Sequence, residues 1–190
     1  QVDLLNDTRP RRDVALFLPF RRWLDGARCR AAELAAELGR RNIPFEALSE
    51  EEFGADRLAP AKVFLVEGRD ILTPAEAAAV REFEGRGGTV VAADGEGWAG
   101  RLLEALGEPS LSVAGPATVR AYAHDQPGRT IVHLLNLNLR RLAPFEDVVT
   151  PAAGLRIRVV VPFAGVRSVT SLTADERTTR GCLAFASRPL

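Results

Sequence analysis

The side chains of this chain that could do chemistry are arginines, carboxylates and tryptophans that follow short apolar segments. They are Arg21, Arg22, Trp23 and Asp25 after the first segment, Glu67 and Arg69 after the third, and Asp94, Glu96 and Trp98 after the fourth. If the segments are parallel strands, these residues meet at the edge where such sheets bind ligands. Aromatic faces stack on pyranose rings and carboxylates bind hydroxyls, which would suit a sugar site. The alternatives are a surface that docks onto another domain or subunit and a solvated rim without a ligand.

Two sharper chemistries are compatible with the same loops. Glu67 and Asp94 could form a general acid/base pair, provided that one pKa is raised and the spacing is suitable. The segment 95–100 matches G-x-G-x-x-G, follows a strand and opens a helix, the local context of a dinucleotide site. However, bulky Trp98 and two acids crowd this loop, and the fingerprint normally follows the first strand of its fold. A glycine-rich turn is therefore the favoured interpretation.

The cysteines and histidines suggest no further site. Cys29 and Cys182 lie far apart and in no metal-ligand spacing, which predicts reduced thiols. Cys29 falls early in a predicted helix, where the helix dipole could lower its pKa, although a half-buried structural role is favoured. His124 and His133 lack a partner motif. We therefore expect no metal and no cofactor.

Composition limits the classes of partner. The 25 basic and 25 acidic residues give zero net charge, so the charge signature of a nucleic-acid-binding protein is absent. No apolar run approaches the ~20 residues that span a bilayer, and the polar N-terminus does not resemble a signal peptide. We expect a cytoplasmic protein without nucleic-acid or membrane partners. The start at Gln1 and the absence of Met suggest an incomplete translation product, which leaves secretion open.

The first half alternates apolar runs with helical patterns. The predicted strands are Val14–Leu18, Ile43–Leu48, Val63–Val66 and Thr89–Ala93. Continuous apolar strands alternating with helices predict a parallel sheet covered on both faces. The predicted helices run from about Ala27 to Arg41, from a Ser49–Glu52 capping box, from Thr73 with Pro74 and Glu76, and from Trp98 to Leu106.

The second half shows only β-type runs beyond Pro116. They cover 117–123, 130–137, 155–161, 166–172 and 182–186. Pro127 and Gly128 between the first two favour a type II turn. The prediction is a flavodoxin-like, doubly wound α/β domain over 1–112, followed by a small antiparallel β-sandwich over 113–190.

Three segments carry a resemblance to a known family. Residues 62–93 give a strand, a Thr-capped helix, a Gly-Gly turn and a second apolar strand, and residues 13–23 give an apolar strand followed by Pro-Phe-Arg-Arg-Trp. These segments resemble the glutamine-amidotransferase-like domain attached to glycoside hydrolases, called the trimerisation domain in one β-galactosidase family. Residues 129–136 resemble a strand of the small β-domain that ends such enzymes.

Two departures from that family limit the implied function. Active amidotransferases carry a Cys nucleophile on a tight turn after a strand, and nothing after Val66 or Ala93 supplies one. The glycosidase chemistry belongs to a preceding (β/α)-barrel, which the residues before Val14 cannot hold. The resemblance thus implies a non-catalytic structural or oligomerisation module, whose partners are that barrel or neighbouring subunits. The alternative is a stand-alone protein that binds a sugar or another small molecule in the strand-end crevice.

Overall fold

The four apolar segments form a parallel sheet in the computed structural model, which describes residues 6–172 and 181–187. After the short β1 (Arg9–Pro10), the strands are β2 (Val14–Leu18), β3 (Phe45–Ser49), β4 (Val63–Val66) and β5 (Thr89–Ala92). Their order is β3-β2-β4-β5, so β3 and β5 are the edge strands. The predicted parallel sheet is therefore confirmed.

Helices cover both faces of this sheet. The helices of this half are α1 (Phe20–Leu24), α2 (Ala31–Arg40), α3 (Ala55–Leu58), α4 (Pro74–Gly85) and α5 (Trp98–Leu106), of which the last four cover the sheet. On one face, α2 and α5 pack through Leu34, Leu38 and Leu102 onto alternate strand residues. On the other face, α3 and α4 pack through Leu58 and Phe83 onto the remaining ones. Burial on both faces explains why the strands are continuously apolar.

The predicted start of α4 is confirmed, and two other predicted helix starts are wrong. The Thr73 hydroxyl accepts from the Glu76 N–H while the Glu76 carboxylate accepts from the Thr73 N–H, which completes a capping box. Ser49 makes no such bond, and only a single 3₁₀ turn follows it. The helix predicted from Ala27 begins at Ala31, because the Arg30 N–H donates to the Glu67 carboxylate 2.7 Å away.

The second half is built from small antiparallel sheets. Its strands are β6 (Leu111–Ala114), β7 (Val119–Gln126), β8 (Arg129–Asn136), β9 (Leu139–Ala143), β10 (Glu146–Val149), β11 (Arg156–Val159), β12 (Thr170–Ser171) and β13 (Gly181–Cys182). The sheets are β1-β7-β8, β9-β10, β6-β11 and β12-β13. Gly128 in the β7–β8 turn has φ 73°, the positive φ that a type II turn requires. The hairpin β9–β10 was not predicted, and the strand predicted over 166–172 is shortened to two residues.

Side-chain hydrogen bonds join the parallel sheet to the antiparallel strands. The buried Asp13 carboxylate accepts from the Ser110 N–H at 2.7 Å. The Asn42 side chain pairs with the backbone of β7 through Val119 O and the Ala121 N–H. By its contacts the chain divides into two units, one ending at Val160 and the other beginning at Val161. The domain boundary at 112 stays a prediction. In the part of the chain that the structure describes, none of the helices has the length and apolar character that a bilayer-spanning helix requires.

Candidate functional site

The loops after β2, β4 and β5 lie together at the carboxyl ends of the parallel strands, as the sequence predicts. We call this end of the sheet the strand-end rim. It carries all seven predicted site residues: Trp23, Asp25, Glu67, Arg69, Asp94, Glu96 and Trp98. Its centre is α1, a five-residue helix without a buried side chain. The contacts of α1 therefore decide what the rim can present.

Arg21 holds α1 against the rest of the rim. Its guanidinium meets the Glu76 carboxylate in two bonds, of 2.7 and 2.9 Å, and donates to Ile71 O at 2.8 Å. Glu50 accepts from the Arg21 side chain and from its backbone N–H. A fork-to-fork pair of this kind fixes geometry as well as charge. The crevice between the loops after β2 and β4 is thus bridged by the protein's own ion pairs.

Glu76 stays ionised in this position despite its burial. Burial alone would raise its pKa, but the hydrogen bonds from Arg21 and from the Thr73 N–H, together with the positive charge of Arg21, outweigh burial and lower the pKa. One carboxylate therefore caps α4 and anchors α1. The sequence identified the cap, whereas nothing in the local spacing of residues 21 and 76 indicated the second role.

Glu67 is also engaged within the protein. Its carboxylate accepts from the Arg30 N–H, while the Arg30 side chain donates to Ala93 O at 2.6 Å.

Cys29 lies beside the Glu67 carboxylate, before α2 begins. Burial, and then the nearby Glu67 carboxylate, raise the Cys29 pKa. The Ala31 N–H at the start of α2 acts to lower this pKa but is outweighed, so the expectation of a lowered Cys29 pKa is wrong.

The other charged residues of the predicted site are paired or exposed. Arg69 donates to the Glu84 carboxylate in two bonds. Asp94 lies 3.8 Å from the Arg101 guanidinium, a loose and exposed pair. Asp25 and Glu96 are exposed. Glu67 is held by the Arg30 N–H and Asp94 faces Arg101, so a general acid/base pair of Glu67 and Asp94 stays a prediction.

An apolar stripe lies on the outer face of α1. Phe20, Trp23 and Leu24 are 43 %, 60 % and 66 % exposed, and the rings of Phe20 and Trp23 lie 5.3 Å apart. Their i, i+3, i+4 spacing is that of an amphipathic helix, whose apolar side usually faces a core. Here it faces outward. The spacing was the signal that could have added Phe20 and Leu24 to the predicted site.

The second tryptophan does not join this stripe. Trp98 opens α5 and packs, partly buried, against the hydrophobic core under that helix. Trp23 and Trp98 therefore have different roles, one presented to the outside and one structural. A sugar platform built from both rings is not supported.

The glycine-rich loop before α5 lacks the contacts of a nucleotide fingerprint. Only Gly97 needs to be glycine for its conformation, with φ 75° at the N-cap of α5. A Cβ at Gly95 or Gly100 would meet nothing within 4 Å, whereas the fingerprint's last glycine serves close helix–strand packing. The interpretation as a turn is therefore favoured.

The two histidines lie outside the strand-end rim, on the antiparallel strands β7 and β8. His124 and His133 are diagonal neighbours on β7 and β8, and their rings meet edge to face with centroids 5.3 Å apart. Within residues 6–172 and 181–187, no group of three or more His, Cys, Asp or Glu side chains could hold a metal ion.

A shallow cleft lies beside the edge strand β5. It has a volume of about 600 Å³ and is lined by β5 and by Asp94, Gly95, Arg101, Glu104 and Ala105. None of the other predicted site residues lines it. Comparison of the chain with protein-family models, curated proteins and solved structures finds no match.

Proposed function

We propose that this chain is a non-catalytic structural module that docks onto another folded domain or subunit through the apolar stripe of α1. The observation that carries the proposal is the exposure of Phe20, Trp23 and Leu24 on a helix anchored by Arg21. Fully burying one large apolar side chain contributes about 1.5–3 kcal/mol, so three half-exposed ones offer on the order of 3 kcal/mol to docking. Exposed apolar clusters of this kind mark interaction surfaces.

Pairing of the polar groups within the rim supports docking over chemistry. Arg21, Glu67 and Arg69 each have partners inside the chain. A ligand would have to break these pairs before using the same groups, and desolvated charges are costly to leave unpaired. A docking partner needs only to cover the apolar stripe and leaves the ion pairs intact.

The carbohydrate-enzyme setting of this proposal comes from the resemblance of residues 13–23, 62–93 and 129–136. We propose a flavodoxin-like sheet, in which the order β3-β2-β4-β5 corresponds to the first four strands of the 2-1-3-4-5 order. The antiparallel strands that follow are proposed to form the small β-sandwich. Under this proposal the docking partner is the catalytic barrel of a glycoside hydrolase or a neighbouring subunit.

Substitution of the stripe tests the proposal. The variant Phe20→Ser/Trp23→Ser/Leu24→Ser is expected to unfold at the same temperature as the wild type when the isolated chain is measured, because α1 buries none of its side chains. In the native gene product, the same variant is expected to lower the melting temperature and to release subunits or domains to proteolysis. Leu103→Ser, at a comparably exposed position on α5, is the matched control. Equal behaviour of the two variants in the native product would refute docking through α1.

The alternative function, a protein that binds sugars in its own right, has one specific observation in its favour. Trp23 presents an exposed ring with Phe20 beside it and the exposed Asp25 two residues on, an arrangement able to stack on a pyranose and accept from its hydroxyls. Titration with mono- and oligosaccharides would then change the fluorescence of the wild type and of Trp98→Phe, but not that of Trp23→Ser. A flat titration across the panel would eliminate the alternative.

A further inference from the structure

The edge strand β5 has an unusual set of free and occupied backbone groups. The backbone N–H and C=O groups of its odd-numbered residues point toward the neighbouring strand β4. The Thr89 N–H donates to Lys62 O, and the Ala93 N–H donates to Val66 O. In a parallel ladder the residues between them point their N–H and C=O groups outward. Val90 and Ala92 therefore present their backbones to the cleft beside β5.

Two of the outward groups at this edge are already bonded. Ala92 O accepts from the Arg101 guanidinium at 2.8 Å, and the Gly88 N–H donates to Phe83 O at 3.0 Å. Among the described residues, β5 pairs only with β4, and no side chain or loop backbone bonds to the Val90 N–H, Val90 O, the Ala92 N–H or Gly88 O. An edge with open groups is a template for another strand.

The open groups match a second copy of the same edge. We propose that two copies of this chain pair their β5 strands antiparallel about a two-fold axis at Val90. Each Val90 N–H then donates to the other copy's Val90 O, and each Ala92 N–H donates to the other copy's Gly88 O. In this register, Ala92 O would face the other copy's Gly88 N–H, and those are the two groups already bonded within each chain. The pattern of free and occupied groups is therefore self-complementary.

The side chains of the cleft agree with this register. Arg101 lies beside Ala92, and Glu104, one helical turn further along α5, lines the same cleft. Because the pairing sets Ala92 of one copy opposite Gly88 of the other, it brings Arg101 of each copy toward Glu104 of its neighbour. Two-fold interfaces are isologous, so a surface with both charges suits itself. One short strand buries far less than the ~1,600 Å² of a standard interface, so the dimer is expected to be transient.

The proposal depends on the backbone of β5 and on Arg101 and Glu104 of α5, and it is independent of docking through α1. Sedimentation velocity from low-micromolar to near-millimolar concentration is expected to show a growing dimer fraction. Amide hydrogen exchange at both ends of that range is expected to show the Val90 and Ala92 amides slowed at high concentration. The Val91 amide, which bonds to β4, is expected to be equally protected throughout. The triple substitution in α1 is expected to leave this dimer intact, which separates the two proposals.

Two substitutions are designed to weaken the proposed interface without removing a hydrogen bond between β4 and β5. Val90→Pro removes an N–H that no described strand accepts from, at a position where edge strands tolerate proline. Glu104→Arg sets like charges face to face and is expected to weaken dimerisation at least about tenfold. Glu51→Arg, at an exposed position in the 3₁₀ turn after β3, is the charge-matched control.

The expected result is a dimer for the wild type and for Glu51→Arg, with folded monomers for Val90→Pro and Glu104→Arg by circular dichroism and sedimentation. If Val90→Pro does not fold, Glu104→Arg and the exchange data decide alone. A wild type that stays monomeric at the highest concentration overturns the proposal. A dimer that leaves the Val90 and Ala92 amides unprotected, or that survives Glu104→Arg unchanged, overturns it as well.

Discussion

Replacement of Arg21 by methionine tests how the rim is held together. The guanidinium bridges α1 to Glu76, Glu50 and Ile71 O, while the aliphatic stem is similar in length to that of methionine. The substitution therefore removes the charge and the five donors but keeps most of the packing. It leaves the Glu76 carboxylate, only 9 % exposed, without its cation.

The expected loss of unfolding free energy is about 2 kcal/mol. Breaking a fully buried ion pair from one side costs about 3–5 kcal/mol. The Arg21 side chain is 35 % exposed, so solvent screens part of that cost, and the lower value follows. Glu76→Gln keeps the cap of α4, because a Gln at this position still accepts from the Thr73 N–H. The double variant Arg21→Met/Glu76→Gln is therefore expected to recover about 1 kcal/mol relative to Arg21→Met.

The pH dependence of the difference has a definite sign. The folded pKa of Glu76 lies below its ordinary value of 4.5, so the unfolded state takes up the proton first as pH falls. Its stabilising contribution is fully present above pH 4.5 and is lost as pH falls through the folded pKa. Without Arg21 only the hydrogen bonds from Thr73 remain to offset burial, so most of that contribution is lost. The wild type and Arg21→Met are thus expected to differ most at neutral pH and to converge below pH 4.5.

Urea unfolding of the four proteins of this cycle, followed by circular dichroism and by tryptophan fluorescence, measures these quantities. Trp23 lies on α1 and is expected to become more accessible to acrylamide in Arg21→Met, since the helix loses its anchor. An unfolding free energy within about 0.5 kcal/mol of the wild type at neutral pH would show that the bridge contributes nothing beyond a surface ion pair.

Two further predictions address packing and pH. Gly88→Ala is expected to destabilise by about 1–3 kcal/mol in urea, because its Cβ would overlap the buried Phe83 ring, whereas Gly39→Ala in α2 meets nothing and is expected to be neutral or stabilising. Burial, and then His133, lower the pKa of His124 from 6.5, so the unfolding free energy is expected to fall as pH drops from 6.5 toward the folded pKa. His124→Gln is expected to be flat over that window in pH-dependent thermal melts; a parallel decline would assign the effect to other groups.

Much of the α/β half was predictable because its strands are buried on both faces. Val63–Val66 is continuously apolar in the sequence and fully buried in the structure, and the Thr73–Glu76 cap has a strong local signature. Helix boundaries were less predictable where a residue distant in sequence bonds to the backbone near the start of the helix. The helix predicted from Ala27 starts at Ala31 because the Arg30 N–H bonds to Glu67, 37 residues away in sequence.

The rim was only partly predictable for the same reason. Strand-end position identified Trp23, Glu67 and Asp94 as neighbours of one edge, which follows from parallel topology. It did not show that Arg21 pairs with Glu76, because the two are 55 residues apart and belong to different helices. The unpaired backbone groups of the edge strand β5 were not predictable, since a free backbone amide has no sequence signature.

The central claim, that the stripe on α1 is covered by another domain or subunit, is tested most directly by hydroxyl-radical footprinting. The native gene product, purified from its source cells, is compared with the isolated 190-residue chain by mass spectrometry. We predict that Phe20, Trp23 and Leu24 are oxidised in the isolated chain and protected in the native product, while Leu103 is labelled equally in both. Equal labelling of Trp23 in the two samples would contradict the claim.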